Sequence, residues 1–350
     1  MIFSKKLISW YLENKRSMPW RETTDPYRIW LSEIILQQTR VAQGLPYYLS
    51  FTDQYPTVFD LANAEEEQVL KLWQGLGYYS RARNLHTTAK YVANDLNGVF
   101  PSTYKDLLKL KGVGDYTASA IASICYNEAV PVVDGNVYRV LARYFNIDTP
   151  INSTQGIKEF KKIAFEFIDP EQPATYNQAI MEFGALQCKP QSPYCIVCPF
   201  NDSCESLKKG TVASLPVKLK KLKVKKRYFN YLIFSIKNQQ TIIRQRIGKG
   251  IWQNLYEFPL IESDNDVDLT YIKDHDIFKN LMNAKSYDIT LYKDEFKIHK
   301  LSHQHLYTRF YIVKMDEKPE MNGELDLVEI EKIREYPVPI LLGNFIDSFF

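Results

Sequence analysis

Cysteine is scarce in this chain, five residues in 350, and charge of neither sign dominates: 44 Lys and Arg stand against 41 Asp and Glu, a formal net charge of +3. So even a balance neither demands nor excludes a nucleic-acid partner. No apolar run is long enough to span a bilayer, which excludes a chain of transmembrane helices. The N-terminal stretch MIFSKKLISWYLENKRS has charges interrupting every apolar run and lacks the pattern of a signal peptide. The expectation is a cytoplasmic chain, nucleoid-associated if bacterial, with its thiols reduced. Internal repeats and low-complexity tracts are also missing. A length of 350 residues then points to two or three domains, each able to bury a core.

Four of the five cysteines fall in one proline-broken stretch, CKPQSPYCIVCPFNDSC, spaced C-x6-C-x2-C-x5-C from Cys188 through Cys195 and Cys198 to Cys204. Thiols so close can converge on one soft-metal centre. Paired disulfides fit poorly with a reducing compartment. Structural zinc accepts four thiolates but usually draws them from two separate short knuckles, and here there is one close pair. A [4Fe-4S] cluster also takes four thiolates. Zinc and the cluster both remain open on spacing alone. Cys125, in the apolar run ASAIASICYN, reads as an ordinary core residue.

Up to about residue 210 the pattern is helical. Asp25 and Pro26 read as an N-cap and first-turn pair opening YRIWLSEIILQQTRV, where Ile29, Ile34, Ile35 and Val41 keep a helical spacing. EEEQVLKLWQGLG closes on a glycine stop. TYKDLLKL leads through KGVGD to YTASAIASICY, a helix, a glycine turn and a second helix. KLKKLKVKKR (218–227) reads as a solvated basic linker, the alternative being a phosphate contact. Beyond it the period changes: YFNYLIFSIKNQQTIIRQR carries a hairpin signal at Asn238-Gln239-Gln240, HLYTRFYIVKM reads as a strand and VEIEKIREY as a short helix. The fold class is therefore multidomain, an all-α domain followed by a smaller α+β domain. The 24 Tyr and 19 Phe fit base stacking and a well-packed core equally.

Chemistry concentrates in three places. In LKGVGDYTASA, Gly112 and Gly114 allow a tight turn that leaves amides of Gly112, Val113, Gly114 and the following helix free to face a phosphate. In VVDGNVYRVLAR, Asp134 stands before a helix. It is either an ordinary N-cap or a carboxylate kept ionised by the helix terminus to stabilise a cation. Glu33, in WLSEIILQQTRV, is either a solvated helix residue or, if buried, a general acid with a raised pKa. Two such carboxylates are what cleavage of a glycosidic bond requires.

PWRETTDPYRIWLSEIILQQTRV, LWQGLGYYSRARNL, LKGVGDYTASAIAS, VDGNVYRVLAR and NQAIMEFGALQCKPQSPYCIVCP, in this order and with this cysteine spacing, resemble the MutY family of adenine DNA glycosylases. These belong to the endonuclease III superfamily of helix-hairpin-helix glycosylases. The resemblance is dense over about residues 3 to 215 and looser beyond. It implies a [4Fe-4S] cluster on Cys188, Cys195, Cys198 and Cys204, and excision of adenine opposite 8-oxoguanine or G in duplex DNA. Glu33 matches the acid that protonates adenine N7 and later activates water. Asp134 matches the carboxylate that stabilises or captures the sugar cation, and Tyr116 and Asn136 match residues supporting that cation. Arg16, Trp20, Arg21, Leu36 and Glu182 match the adenine pocket. Gln38 and Tyr78 match residues that wedge into the base stack when a base is extruded, and Thr39 and Leu76 match contacts to 8-oxoguanine.

Bifunctional relatives carry a lysine where this chain has Tyr116, so little β-lyase activity is expected. The C-terminal third resembles the family's Nudix-like 8-oxoguanine recognition domain. GIWQNLYEFP (250–259) has the expected look, but no box of clustered glutamates follows, which argues against a pyrophosphatase. KLSHQH aligns with a loop that normally reads Phe-Ser-His: Leu301 replaces the phenylalanine, while Ser302 and His303 are kept. The implied organisation is a helical catalytic domain over 1–215, with a six-helix barrel at about 25–130 and an iron-sulfur module from the N-terminal segment plus 131–215. A basic linker over 216–227 and a Nudix-like domain over 228–350 follow, in a monomer. The alternatives are an endonuclease III-like pyrimidine-damage glycosylase with lyase activity, and a non-catalytic iron-sulfur DNA-binding protein.

Overall fold

A computed structural model describes residues 2–219, 224–321 and 323–350. The chain divides into two units, Met1–Asn63 with Asn84–Lys220 and Ala64–Arg83 with Lys221–Phe350. In chain order the N-terminal two-thirds holds helices α1 (Ile2–Asn14), α2 (Pro26–Leu36), α3 (Val41–Gln54), α4 (Val58–Asn63), α5 (Glu66–Leu72) and α6 (Ser80–Asp95). These are followed by α7 (Tyr104–Leu107), α8 (Asp115–Tyr126), α9 (Gly135–Phe145), α10 (Thr154–Phe167), α11 (Pro173–Leu186) and α12 (Glu205–Lys208).

The first unit is helical for reasons that are local. Asp25 caps α2, its side chain accepting the Tyr27 amide at 3.0 Å, with Pro26 in the first turn. The helix is shorter than its apolar spacing predicts. It ends at Leu36 because Gln37 leaves helical geometry and Gln38 takes a left-handed φ of 55°, so Val41 opens α3 instead. Asn127 and Asn146 close α8 and α9 in left-handed caps. α9 buries Val137, Val140 and Leu141, which pack with Leu7 of α1 and Ile180 and Phe183 of α11 in one apolar cluster.

The second unit is built on β1 (Lys225–Ile236), β2 (Gln240–Gln245), β3 (Tyr256–Glu257), β4 (Leu260–Ser263), β5 (Asp288–Leu291), β6 (Lys297–Lys300), β7 (Gln304–Met315) and β8 (Asp326–Glu329). The path runs β3-β2-β1-β7-β5, with β4 on β1, β6 on β7 and β8 on β2. Among the described residues only β1 and β7 pair in parallel, Lys225 opposite Gln304 through Ile236 opposite Met315. Helices α13 (Leu269–Asp274) and α14 (Asp276–Met282) join a core of Leu232, Phe234, Tyr311 and Val313 through Ile272 and Phe278. Phe345, on α15 (Ile340–Phe349), stacks at 4.0 Å on Phe310, whose other stacking partner is Tyr231. All of β1 from Phe229 onward is thereby buried, and its alternation is lost to the near-continuous apolar run of a strand covered on both faces.

Three expectations change. β1 starts at Lys225, inside the stretch read as linker, because Lys225, Lys226 and Arg227 pair with Gln304, His305 and Leu306. Residues 220–223 of that basic run lie outside the described residues. VEIEKIREY is not one helix: its first residues belong to β8, paired with β2, and only Ile330–Glu335 turn, as a 3-10 helix. Segment 64–83, expected with the helical domain, groups with the second unit. There Glu66 accepts from Asn254 at 2.5 Å, Glu67 from the Tyr256 hydroxyl at 2.6 Å, and Arg83 donates to the Gln253 carbonyl at 2.8 Å.

Phe345 holds one face of the sheet, so Phe345→Ala is expected to cost about 3–5 kcal/mol in the unfolding transition of the second unit, as large aromatic deletions in cores do. Denaturant unfolding followed by circular dichroism checks it.

Candidate active site

Glu33 lies on α2, buried among Leu31, Ser32, Ile34 and Ile35 of its own helix. Burial raises its carboxyl, a hydrogen bond from Tyr116 pulls it back, the charge of Asp134 raises it and that of Arg21 lowers it, and the balance stands at about 7. Tyr116, at the start of α8, is driven well above its ordinary range by burial and by the two carboxylates it faces. Its hydroxyl also reaches the Met181 sulfur at 3.2 Å. A carboxyl that keeps part of its protons at neutral pH and a neutral phenol thus share a buried site.

Asp134 is the N-cap that one reading of its sequence context allowed. It caps α9, Oδ1 accepting the amides of Asn136 at 2.9 Å and Val137 at 2.8 Å, while Oδ2 accepts Asn136 Nδ2 at 2.8 Å. Burial is the larger influence and raises its pKa, opposed by those three donors and by the charge of Arg139. Glu33 has far fewer donors, so the two carboxyls are treated differently by their surroundings, the arrangement that separates an acid from a stabilising anion.

Two of the residues expected in the adenine pocket, Arg16 and Arg21, converge on a third, Glu182. Arg16 grips it with Nε at 2.8 Å, Nη2 at 2.6 Å and its own amide at 3.0 Å, and Arg21 adds Nη1 at 3.0 Å and Nη2 at 2.8 Å. Burial opposes the charge on Glu182, but the two guanidiniums hold its carboxyl down at about 2. Trp20 is buried edge-on against Tyr48 at 5.1 Å, and Leu36 is half-buried at the end of α2. Thr39 is half-buried, its hydroxyl on the Gln37 carbonyl at 3.2 Å, and Leu76 is buried after α5. The two wedge candidates share a feature that the sequence hides. Gln38 and Tyr78 are exposed and both hold left-handed backbones, φ 55° and 49°, a conformation uncommon for such side chains and typical of functional tips.

In the second unit, Ser302 and His303 sit in the turn between β6 and β7, both exposed, with Leu301 half-buried beside them. The Ser302 hydroxyl lies 2.5 Å from that of Tyr78, and the His303 carbonyl accepts the Lys225 amide at 3.0 Å. Glu257 of the YEFP stretch is fully occupied, buried against Arg244, Arg246 and the Tyr231 hydroxyl.

At the glycine turn, only Gly112 needs the left-handed region, φ 79°, with Asn84 packed where a Cβ would stand. Gly114 has an ordinary φ of −93° and nothing near its missing Cβ. Its bareness leaves the N-terminus of α8 open to a ligand. Val113 is buried beneath the turn.

Cys188, Cys195, Cys198 and Cys204 line one cavity, walled by Phe3, Tyr144, Phe183 and Phe200. Burial raises the thiols of Cys188 and Cys195, and that of Cys198 up to about 11, and mutual repulsion adds to each. By donor type, four cysteines on one cavity suit a soft-metal cluster, which would draw the protons from these thiols on binding. Among the described residues no group of three or more His, Cys, Asp or Glu, the four cysteines included, is close enough to hold a metal ion. Cys125 is half-buried rather than fully in the core, its thiol raised to about 12.

Sequence reasoning missed the residues that join these parts. Arg139 and Arg143 are two buried cations one turn apart on α9. Arg139 donates to the Cys188 carbonyl at 2.7 Å, to Gly184 O at 2.6 Å and to Asn136 Oδ1 at 2.8 Å. Arg143 donates to the carbonyls of Lys189 at 2.6 Å and Pro190 at 3.0 Å, and its Nη1 lies 3.5 Å from the Cys188 sulfur. Gly184 lets α11 meet the start of α9: a Cβ there would stand 2.6 Å from that of Asn136. The available signal was two arginines on an otherwise apolar helix stripe.

The HhH-GPD superfamily base excision DNA repair protein family matches residues 31–164, and the NUDIX domain family matches residues 231–348. The adenine DNA glycosylase of Buchnera aphidicola subsp. Baizongia pistaciae is 36% identical over 313 residues, covering 88% of this chain and 84% of that protein. The chain belongs to the adenine DNA glycosylase family. The human adenine DNA glycosylase is 44% identical over 213 residues, 58% of this chain and 39% of that protein. Among solved structures, a thermostable thymine-DNA glycosylase superposes with a TM-score of 0.55 at 29% identity, covering 59% of this chain and 96% of that one. An endonuclease III–DNA complex, 22% identical with a TM-score of 0.52, covers 60% of this chain and 95% of its own and shares the fold. Among the described residues no helix is long and apolar enough to cross a membrane.

Glu182→Gln removes the charge that two partly buried arginines share, and is expected to cost about 2 kcal/mol, the solvent exposure of Arg16 reducing the penalty of a fully buried pair. Equilibrium unfolding in urea measures it. Gly184→Ala forces a Cβ against Asn136 and is expected to cost about 1–3 kcal/mol, with a lower thermal midpoint as the readout.

Proposed function

We propose that the chain excises adenine from duplex DNA where it is mispaired with 8-oxoguanine or G, acting as a monofunctional glycosylase and as a monomer. The observation that carries this reading is the pairing of a buried, proton-holding Glu33 with a hydrogen-bonded Asp134, in a member of the adenine DNA glycosylase family. Glu33 gives its proton to N7 of the extruded adenine. The C1′–N9 bond breaks with its electron pair going to the base, and the oxocarbenium charge left on the sugar is offset by Asp134. Water deprotonated by Glu33 then adds to C1′, which returns the proton to the carboxyl. Tyr116 and Asn136 fix the two carboxylates. Arg16, Arg21, Glu182, Trp20 and Leu36 form the adenine pocket, Gln38 and Tyr78 enter the stack, and Thr39, Leu76, Ser302 and His303 face 8-oxoguanine. The turn at Gly112, Val113 and Gly114 holds a DNA phosphate, through the amides of the two glycines, since that of Val113 is given to the Leu110 carbonyl at 3.1 Å.

Cys188, Cys195, Cys198 and Cys204 would hold a [4Fe-4S] cluster whose contribution is to brace their loop rather than to react. Family membership and the four thiols on one cavity support this. Cys198→Ser is expected to abolish stoichiometric binding of iron and sulfide, measured by metal and acid-labile sulfide analysis of the purified protein.

Glu33→Gln is expected to bind the mispaired duplex within a few-fold of wild type while single-turnover excision falls by about 10²-fold or more. Turnover within a few-fold of wild type would contradict the mechanism. The acid form of Glu33 is populated below its pKa, so the wild-type rate is expected to fall as pH rises through about 7. With Tyr116 where lyases carry lysine, borohydride is expected to trap no covalent enzyme–DNA adduct.

A further inference from the structure

The turn assigned above to phosphate binding has an acidic residue beside it. Asp115 is the first residue of α8, immediately after Gly114, with about half its side chain exposed. A carboxylate there opposes both the helix terminus and any phosphate drawn to it. It is not left bare. Lys161, from the middle of α10, places Nζ 3.0 Å from Asp115 Oδ2, and the Tyr104 hydroxyl of α7 donates to Oδ1. The lysine is mostly buried, its ammonium lying 5.5 Å from the centre of the Tyr104 ring and 5.4 Å from that of Phe165.

Lys161 has two further partners. Its Nζ donates to Ser119 Oγ at 3.3 Å, on the same helix as Asp115, and to the Pro131 carbonyl at 3.0 Å. Pro131 begins the extended segment that delivers Asp134 to the start of α9. Asn177 pins the same segment, accepting the Val132 amide at 3.1 Å and donating to the Val130 carbonyl at 2.9 Å and to Ser123 Oγ at 2.8 Å. One ammonium therefore touches the helix that follows the glycine turn and the extended segment that leads to the proposed catalytic carboxylate.

We infer that Lys161 is a positioning residue with two tasks: it neutralises Asp115 so that the glycine turn can accept a DNA phosphate, and it ties α8 to Pro131 so that Asp134 is set when the backbone is gripped. This rests on the glycosylase reading of the site. Asp115 and Lys161 would be paired by charge. Replacing one should be answered by replacing the other in binding but not in the tether.

The test uses the full chain with its cluster, and a duplex carrying A opposite 8-oxoguanine. Affinity is measured with a non-cleavable 2′-fluoro-adenosine analogue, and rate by single-turnover excision at saturating enzyme. Lys161→Met is expected to lose on the order of tenfold in affinity at low salt, and the loss should shrink as salt screens the exposed carboxylate. Adding Asp115→Asn is expected to restore most of that affinity while the single-turnover rate stays several-fold below wild type. Lys161→Arg is expected to keep the affinity. Asp115→Asn alone, which needs no refolding of the lysine site, is expected to bind as tightly as wild type or more so. A double variant that binds no better than Lys161→Met, or a weakened Asp115→Asn, overturns the neutralisation. A Lys161→Met enzyme that excises at the wild-type rate once bound overturns the tether. A wild-type enzyme that does not excise adenine at all defeats the glycosylase reading itself, a distinct result.

Discussion

Two carboxyl groups in one dry site repel each other and resist ionisation, and the arrangement of the first unit follows from keeping both there. Burial raises Glu33 and Asp134 alike. What separates them is the supply of donors. Asp134 receives two helix-terminal amides and an amide side chain, whereas Glu33, set within the apolar stretch of α2, has Tyr116. In the mechanism proposed above, the first would carry negative charge while a sugar becomes positive, and the second would give up a proton held to near neutrality. Such differentiation depends on fixed geometry, because a carboxylate free to turn would find water instead.

The fixing is done by buried polar groups on neighbouring helices. α9 carries Asp134 at its start, Arg139 one turn in and Arg143 one turn later, so a single rigid rod connects the site to the carbonyls around Cys188. A loop braced in this way has its own geometry coupled to that of Asn136, through hydrogen bonds of 2.6 to 2.8 Å at Arg139. The close packing of α11 at Gly184 completes the frame. Removing any one of these partners leaves a buried polar group without its complement, which costs more than the bond contributes when made.

Much of this was legible in the sequence where the cause is local. Asp25 and Pro26 announced α2, the glycine turn announced the start of α8, and Asp134 could be read as a cap and as a functional carboxylate because geometry allows it to be both. Spacing grouped the four cysteines around one cavity, while the choice between zinc and an iron-sulfur cluster needed knowledge of relatives. Other features were hidden because they depend on distant partners. The left-handed turn at Gln38 cut short an apolar period that continued through Val41, and cross-strand pairing with Thr241 and Gln240 drew Val328 and Glu329 into β8. The grouping of residues 64–83 with the second unit rests on contacts to residues nearly two hundred positions away, such as Glu66 with Asn254. The two arginines of α9 lay in plain view, but their targets are carbonyls, which carry no sequence signal.

The most direct measurement is a single-turnover assay with the purified chain on duplexes carrying A opposite 8-oxoguanine, A opposite T, or thymine glycol. The account predicts alkali-dependent strand breaks at the adenine opposite 8-oxoguanine, with neither other duplex cut. Cleavage confined to thymine glycol, or tight binding to the mispair with no base released, would contradict it.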